Sequence, residues 1–216
     1  MAELWIYDII GEGVFFDGVT AKGIRDQLAD VDAEEEVIVR INSPGGDVFE
    51  AQAIRTMLSQ RKAPVNVQVD GVAASAASWI ATVGDRVSMA EGSMLMIHSP
   101  WTVAVGNRAE LLAAADLLDK VGGQIANSYA GKSGKEMKDV MAAMDAETWY
   151  TADEAKAFGL VDEVLDVKAK AFAIPSELGY KNVPGQTKRP AASTQKLSTI
   201  ARQRRVDLMK TPQYFS

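Results

Sequence analysis

The segment from Val37 to Asn42 constrains the fold of this 216-residue chain more than any other. It is almost wholly apolar, whereas a strand with one face in water alternates apolar and polar residues. Such a run is typical of a strand buried on both faces of a parallel sheet. Gly and Pro residues end it, and a helical pattern follows from about Val48 to Gln60. We therefore predict an α/β domain with helices packed on a parallel sheet.

Further strands and helices alternate along the chain at the spacing expected of such a domain. Short apolar runs predict strands at Leu4–Ile10, Val65–Val69, Arg86–Ala90, Met94–His98 and Leu160–Leu165. Capping residues and helical periodicity predict helices from Thr20 to Leu28, Val72 to Thr82 and Asn107 to Tyr129, a fourth ending at Met144, and a fifth between Thr151 and Gly159.

The composition excludes several classes of function. The net charge is −6, so the chain has no positive field to attract nucleic acid or an anionic membrane. It contains no Cys and one His, which leaves no thiolate or His-rich metal site, and we expect no metal or organic cofactor. The N-terminus shows neither a signal peptide nor a long apolar stretch, so we expect a cytoplasmic protein.

The predicted helix Asn107–Tyr129 is longer than a compact core requires. Its apolar residues lie three or four positions apart, which predicts an amphipathic helix that contacts a partner subunit along part of its length. From Lys168 the pattern changes to one rich in Pro, Gly, Ser and Thr. We therefore predict a folded domain over residues 1–167 and a linker-like, mobile C-terminal extension over residues 168–216.

Ser75 lies in a segment of very small residues, Gly71–Ser78, at a predicted strand-to-helix junction. A Ser in such a turn can expose its hydroxyl while the next main-chain N–H points at a developing oxyanion. The small neighbours leave room for a substrate backbone. In isolation, however, a Ser among Ala and Gly is more often an ordinary helix-packing residue.

His98 is the only His in the chain, and it ends a predicted strand. Serine hydrolysis needs a base that titrates near neutrality, and His has an ordinary pKa of about 6.5. If a Ser/His pair exists here, His98 is its base. The alternative for a single His is a satisfied structural residue.

The turn Asn42–Asp47 follows the buried strand directly and contains two glycines. Gly45 and Gly46 permit positive φ and close approach of another backbone, as a peptide-binding cleft with an oxyanion donor requires. A plain turn is the alternative. Because ligand sites of open α/β sheets lie beyond the carboxyl ends of strands, Gly46, Ser75 and His98 are expected at one edge.

Four blocks together resemble the signature of the ClpP family, the proteolytic subunit of the Clp protease, over about residues 4–167. They are INSPGG at 41–46, GVAAS at 71–75, MIHSP at 96–100, and EA at 154–155 with GLVD at 159–162. The resemblance implies a ClpP/crotonase-type spiral of ββα units with a protruding handle helix. It also implies Ser75 as nucleophile, His98 as base, Gly46 and Ala76 as oxyanion donors, and Gly45 and Ser43 as cleft residues.

The third member of the triad is where the sequence departs from that family. The family carries Asp at the position that Glu147 occupies here. Glu can orient an imidazole, but its additional methylene group demands a shifted backbone. We predict Glu147 as the third member; Asp145, two residues upstream, is the rival, and a dyad without a third member is also open.

The resemblance also implies partners and a substrate class. A ClpP-like peptidase forms a homo-oligomeric ring, with two stacked rings as an option, and cleaves extended polypeptides. The first strand begins by Leu4, so docking to a Clp ATPase is doubtful and we expect an ATP-independent peptidase. The short N-terminal segment and the added C-terminal segment resemble those of phage and prophage head-maturation proteases, whose substrates are capsid or scaffold proteins. This resemblance implies the cytoplasm of a bacterium or of a phage-infected cell.

Two other functions remain open at this point. One is a crotonase-type acyl-CoA enzyme, which uses main-chain oxyanion donors but needs no Ser75/His98 pair. The other is a catalytically inactive ring-forming assembly protein. A serine-directed fluorophosphonate probe separates them, because only a peptidase is labelled at Ser75.

Overall fold

The computed structural model describes residues 1–13, 16–170, 174–175 and 178–184. Within them the strands are β1 Ala2–Ile6, β2 Glu12–Gly13, β3 Phe16–Asp17, β4 Val37–Ser43, β5 Val65–Ala74, β6 Arg86–Glu91, β7 Met94–Ile97, β8 Thr148–Thr151 and β9 Glu163–Lys168. The helices are α1 Ala21–Leu28, α2 Val48–Ser59, α3 Ala76–Ala81, α4 Arg108–Ser133, α5 Met137–Asp145 and α6 Ala152–Phe158.

One sheet dominates the structure, and its main path runs β1-β4-β5-β6-β9. All four of these pairings are parallel, which confirms the prediction of an α/β domain with a parallel sheet. Apolar residues of β4, β5 and β6 are fully buried, among them Val39, Val67 and Met89. The predicted spiral of ββα units stays a prediction.

Strand β5 is longer than the sequence pattern predicts, and it pairs with two strands in turn. Asn66 to Val69 pair with β6, whereas Val72 to Ala74 pair with β7. The propensity of the Ala-rich segment 72–74 predicts that the helix begins there. This predicted start is wrong, because the segment belongs to β5. Ala has a high helix propensity, but propensity is a weak determinant of structure, and pairing with β7 overrides it here. Helix α3 therefore begins only after Ser75.

Within the main sheet, strand β8 departs from the parallel arrangement. It pairs antiparallel with β7, with Ile97 opposite Thr148. This pairing brings the chain between α5 and β8 back to the end of β7, where His98 lies. The antiparallel return thus determines which residues surround His98.

The capping residues of the helices follow the sequence expectations closely. Thr20 caps α1 by accepting from the Gly23 N–H at 3.0 Å. Asn107 begins α4 and Thr151 begins α6, each with a capping box that satisfies two main-chain N–H groups. These local signals explain why both helices begin where the sequence predicted.

Helix α4 is buried only near its C-terminal end, through Ile125, Ala126 and Tyr129. Leu111, Leu112 and Leu117 in its first half are about half exposed. None of the helices in the described ranges is both long and apolar enough to cross a bilayer. That α4 acts as a handle between subunits stays a prediction.

The compact unit extends from Met1 to Val183. Strand β9 ends at Lys168, which is the predicted start of the C-terminal extension. Residues 185–216 lie outside the described residues. The predicted boundary and the mobility of the extension therefore stay predictions.

A partly buried ion pair joins β4 to β5. The Arg40 guanidinium donates to both carboxylate oxygens of Asp70, at 2.8 and 2.6 Å, and Tyr7 donates to the same carboxylate. Burial alone raises the pKa of Asp70, but the hydrogen bonds from Arg40 and Tyr7 outweigh it and hold the pKa below its ordinary value. The bidentate geometry makes this a strong contact between the two strands.

We expect Asp70→Asn to lower the free energy of unfolding at neutral pH by about 2 kcal/mol, because Arg40 loses a charged partner. A carboxylate with a lowered folded-state pKa contributes stability above its unfolded pKa and loses it as the pH falls. The difference between wild type and Asp70→Asn should therefore shrink as the pH falls below about 4. Urea unfolding across this pH range measures it, with the exposed Asp30→Asn as control; a constant difference would contradict the assignment.

Candidate active site

Ser75 lies in a strained turn between β5 and α3. Its backbone angles are φ 56 and ψ −123, in a region that residues with a Cβ rarely adopt. Such strain costs about 1–3 kcal/mol and persists only where the surrounding structure holds it. Here the Ser75 N–H donates to the Met96 oxygen at 2.9 Å, which ties the turn to β7. The conformation is that expected of an exposed nucleophile at a sharp strand-to-helix turn.

His98 follows β7 directly, and its imidazole reaches Ser75. Ser75 Oγ and His98 Nε2 are 2.7 Å apart, within hydrogen-bonding distance. The β5–β7 register produces this approach, because Ala74 pairs with Met96 and the segments that follow these two residues continue side by side beyond the sheet edge. Burial lowers the pKa of His98 below its ordinary value, the Glu147 carboxylate raises it, and Lys181 lowers it. A neutral imidazole at physiological pH can accept a proton from the serine.

Glu147 lies between α5 and β8 and is only 9% exposed. Its φ of 49 makes it, with Ser75, one of two non-Gly residues with positive φ among those described. Because Ile97 pairs with Thr148, Glu147 follows the sheet register to a position beside His98. Its Oε1 accepts hydrogen bonds from the main-chain N–H groups of Lys181 and Asn182, both at 2.7 Å.

Asp145, the rival carboxylate, accepts a hydrogen bond from Ser99 Oγ at 2.7 Å and is exposed. The charge of Glu147 raises the pKa of His98, so Glu147 is electrostatically coupled to the imidazole. Among the described residues, His98 is hydrogen-bonded to Ser75 and not to Glu147. The role of either carboxylate stays a prediction.

The glycine turn after β4 packs against Ser75. Gly45 has φ 94, and a Cβ built on it would lie 2.5 Å from the Ala74 oxygen and 2.8 Å from Ser75 Cβ. Gly46 has φ 149, and its Cβ would lie 2.1 Å from the Ile10 oxygen. Both positions therefore require glycine, because a side chain would clash with the backbone and Cβ at Ala74–Ser75 from Gly45 and with the backbone of Ile10 from Gly46.

The N–H groups of Gly46 and Ala76 have no acceptor among the described residues. Ala76 is the first residue of α3, where a helix leaves its N–H groups without internal partners. Two donors on either side of a serine can stabilise the oxygen of a tetrahedral intermediate. The predicted roles of these two groups are compatible with this arrangement.

Ser43, predicted to line the cleft, is fully buried. Its hydroxyl donates to the Asp8 oxygen at 2.5 Å and accepts from the Gly45 N–H at 3.2 Å. The structure thus places Ser43 beneath the glycine turn, where it fixes the turn against the chain after β1. Gly45 itself contacts Ser75.

Two small cavities flank the Ser75/His98 pair. One has a volume of about 180 Å³, and Gly46, Ser75 and His98 contribute to its walls. The other, of about 350 Å³, lies on the side of Glu147 and Asp145. Tyr180 lines both. No group of three or more metal-binding side chains occurs among the described residues.

The sequence motifs gave no signal for Tyr180 or Asn182, which reach the site from beyond β9. Asn182 Nδ2 donates to the Ala146 oxygen at 2.9 Å, next to Glu147. An isolated Tyr or Asn in a Pro- and Gly-rich segment carries no periodic pattern from which its position can be inferred.

Comparison with known proteins agrees with this geometry. The sequence profile of the family described as Clp protease matches residues 15–168. An ATP-dependent Clp protease proteolytic subunit from Bacteroides fragilis is 33% identical over 169 residues, which cover 76% of this chain and 82% of the relative. The chain belongs to the Clp protease family. This confirms the resemblance seen in the four sequence blocks at the level of the family.

Relatives in the Clp protease family also come from distant organisms. A proteolytic subunit from Pleurastrum terricola is 34% identical over 140 residues, covering 63% of this chain and 71% of the relative. Proteolytic subunit 3 of Rhodococcus jostii is 31% identical over 141 residues, covering 64% and 69%. Membership in this family of peptidases makes peptide-bond hydrolysis the chemistry to consider for the site.

We expect Gly45→Ala to destabilise this Clp protease family member by about 3 kcal/mol, because the new methyl group clashes with rigid backbone and requires a strained φ. The control is Gly131→Ala in α4, where a Cβ meets no atom within 4 Å. That change should raise the free energy of unfolding by about 0.5–1 kcal/mol, as Ala in a helix interior does. Chemical unfolding of both variants tests the pair; equal stability of the two would contradict the close packing of Gly45 on Ser75.

Proposed function

We propose that the chain is a serine endopeptidase that cleaves extended polypeptides through an acyl-enzyme on Ser75. The observation that carries this proposal is the 2.7 Å approach of Ser75 Oγ to His98 Nε2. The strained turn of Ser75 and the two N–H groups of Gly46 and Ala76 support it. A serine that only packs against its neighbours would need neither a strained backbone nor two N–H donors beside its hydroxyl.

The mechanism follows from these positions. Ser75 Oγ attacks the carbonyl carbon of the peptide bond while its proton moves to His98 Nε2. The N–H groups of Gly46 and Ala76 bind the negatively charged oxygen of the tetrahedral intermediate. His98 then gives the proton to the leaving amine, the C–N bond breaks, and the acyl group remains on Ser75. Water activated by His98 releases it by the reverse steps.

Glu147 is proposed as the carboxylate that orients His98 and stabilises its charged form. Its burial, its position in the sheet register and its effect on the pKa of His98 support this choice over Asp145. The backbone of Glu147 has a positive φ of 49, so it departs from an extended strand at this position.

The assembly and the natural substrate are further parts of the proposal. We propose a homo-oligomeric ring in which the exposed first half of α4 contacts another subunit, because its leucines are about half exposed in the single chain. ATP-independent cleavage of phage capsid or scaffold protein rests on the resemblance to head-maturation proteases. Co-expression with candidate capsid proteins, comparing wild type with Ser75→Ala by intact mass, tests that substrate.

The competing functions predict different chemistry at Ser75. A crotonase-type acyl-CoA enzyme would use the Gly46 and Ala76 N–H groups without covalent chemistry at the serine, and an inactive assembly protein would use neither. Labelling of Ser75 by a fluorophosphonate, detected by peptide mass, is expected only of the peptidase.

We expect Ser75→Ala and His98→Ala each to lower peptide hydrolysis by about 10⁶-fold while the protein stays folded. The double variant should be no worse than either single variant, because the two groups act as one unit. Hydrolysis of a fluorogenic peptide measures this, with the exposed Ser59→Ala as control. A double variant far less active than both singles would contradict the pairing.

The pH profile gives a separate test of His98 and Glu147. Burial lowers the pKa of His98, and the base must be neutral, so the acid limb of kcat/KM should have its midpoint below pH 6.5. Glu147→Gln removes the charge that raises this pKa, so the midpoint should fall further, and turnover should drop by about 10⁴-fold.

Asp145→Asn is the matched control for Glu147→Gln, and we expect it to change neither the midpoint nor the turnover appreciably. The reverse ranking would assign the orienting role to Asp145. Small and equal effects would mean that Ser75 and His98 work as a dyad.

A further inference from the structure

A short segment beyond β9 lies directly over the proposed catalytic pair. The ring of Tyr180 meets the imidazole of His98 edge to face, with 5.3 Å between the ring centroids. The Tyr180 hydroxyl donates a hydrogen bond of 2.5 Å to the Pro44 oxygen. Burial raises the pKa of Tyr180 to about 12, so the hydroxyl keeps its proton at neutral pH. Tyr180 therefore bridges the glycine turn and the end of β7.

The same segment limits the space beside Ser75. The cavity of about 180 Å³ has Leu178 and Tyr180 in its walls together with Ser75 and Gly46. Sites that take even a small organic ligand usually measure about 300–1,000 Å³. The cavity beside Ser75 is smaller than this range, and Leu178 and Tyr180 form part of its wall.

The segment also engages the carboxylate of Glu147. The N–H groups of Lys181 and Asn182 both donate to Oε1, and the Asn182 side chain holds the Ala146 oxygen. These two main-chain bonds fix Oε1, to which the Trp149 Nε1–H also donates at 3.4 Å. The orienting bond that the mechanism needs, from the Nδ1–H of His98 to Glu147, is absent from the hydrogen bonds of the described residues.

We propose that residues Leu178–Asn182 form an intramolecular latch that keeps the active site latent until a substrate displaces it. This proposal rests on the serine peptidase function proposed above. One movement of the latch opens the gap above Ser75 and removes the two main-chain donors that hold Glu147 Oε1, so that the carboxylate can turn towards the Nδ1–H of His98. The occupant that replaces the latch is an extended polypeptide with large apolar or aromatic side chains, because the latch fills the cleft with a leucine and a tyrosine.

The rate at which a fluorophosphonate labels Ser75 in the full-length chain tests the latch. Tyr180→Ala removes the ring over His98, and Asn182→Asp places a negative charge against the Ala146 oxygen and near Glu147. Each should raise the labelling rate by about tenfold or more, because the apparent reactivity scales with the fraction of molecules whose site is open. Pro184→Ala, an exposed change just beyond the latch, should leave the rate unchanged.

Each result has a distinct meaning. If the folded Tyr180→Ala and Asn182→Asp variants label no faster than wild type, the latch is wrong; slower labelling would mean that the segment holds Glu147 for catalysis. If Tyr180→Ala does not fold, Tyr180→Phe keeps the ring but removes the hydroxyl that donates to the Pro44 oxygen, and it should also label faster. If Ser75 is labelled in no variant, the peptidase proposal fails. If Ser75 is labelled in wild type but no latch variant is labelled faster, the latch proposal fails and the peptidase proposal stands.

Discussion

The strained backbone conformation of Ser75 is the constraint on which the rest of the site depends. A residue with a Cβ pays about 1–3 kcal/mol for such a conformation, so neighbouring elements must hold it. Strand β7 accepts its N–H through Met96, and Gly45 packs against its Cβ. The long β5 makes this possible, because it leaves β6 and continues along β7 up to the turn.

A buried hydroxyl network secures the other side of the same turn. Ser78 Oγ lies 2.8 Å from the Ser75 oxygen, 2.6 Å from the Met96 oxygen and 2.8 Å from the hydroxyl of Tyr129. Burial raises the pKa of Tyr129 well above its ordinary value, so its hydroxyl stays neutral. The network joins α3, β7 and α4 at one point. The long helix thus supports the site through its buried end, whatever its exposed half contacts.

Much of this arrangement was predictable from local sequence signals. The apolar run of β4 predicted a parallel sheet, and the unique His98 at the end of a strand predicted a partner for Ser75. What local signals could not give is pairing between distant segments. The Ala-rich end of β5 favours a helix by propensity alone, and only its pairing with β7 makes it a strand. The burial of Ser43 depends on its contact with the chain after β1. Tyr180 and Asn182 act through tertiary contacts alone.

The antiparallel return of β8 has a consequence for the order in which the site assembles. Ser75 and His98 are separated by 23 residues, so a modest loop closure brings them together once β7 pairs with β5. Glu147 follows α4 and α5 in the chain and reaches the site through the pairing of β8 with β7. A growing polypeptide therefore contains its nucleophile and base before its carboxylate. Under the proposed mechanism, only a chain whose second half has already folded reaches its full rate of peptide hydrolysis.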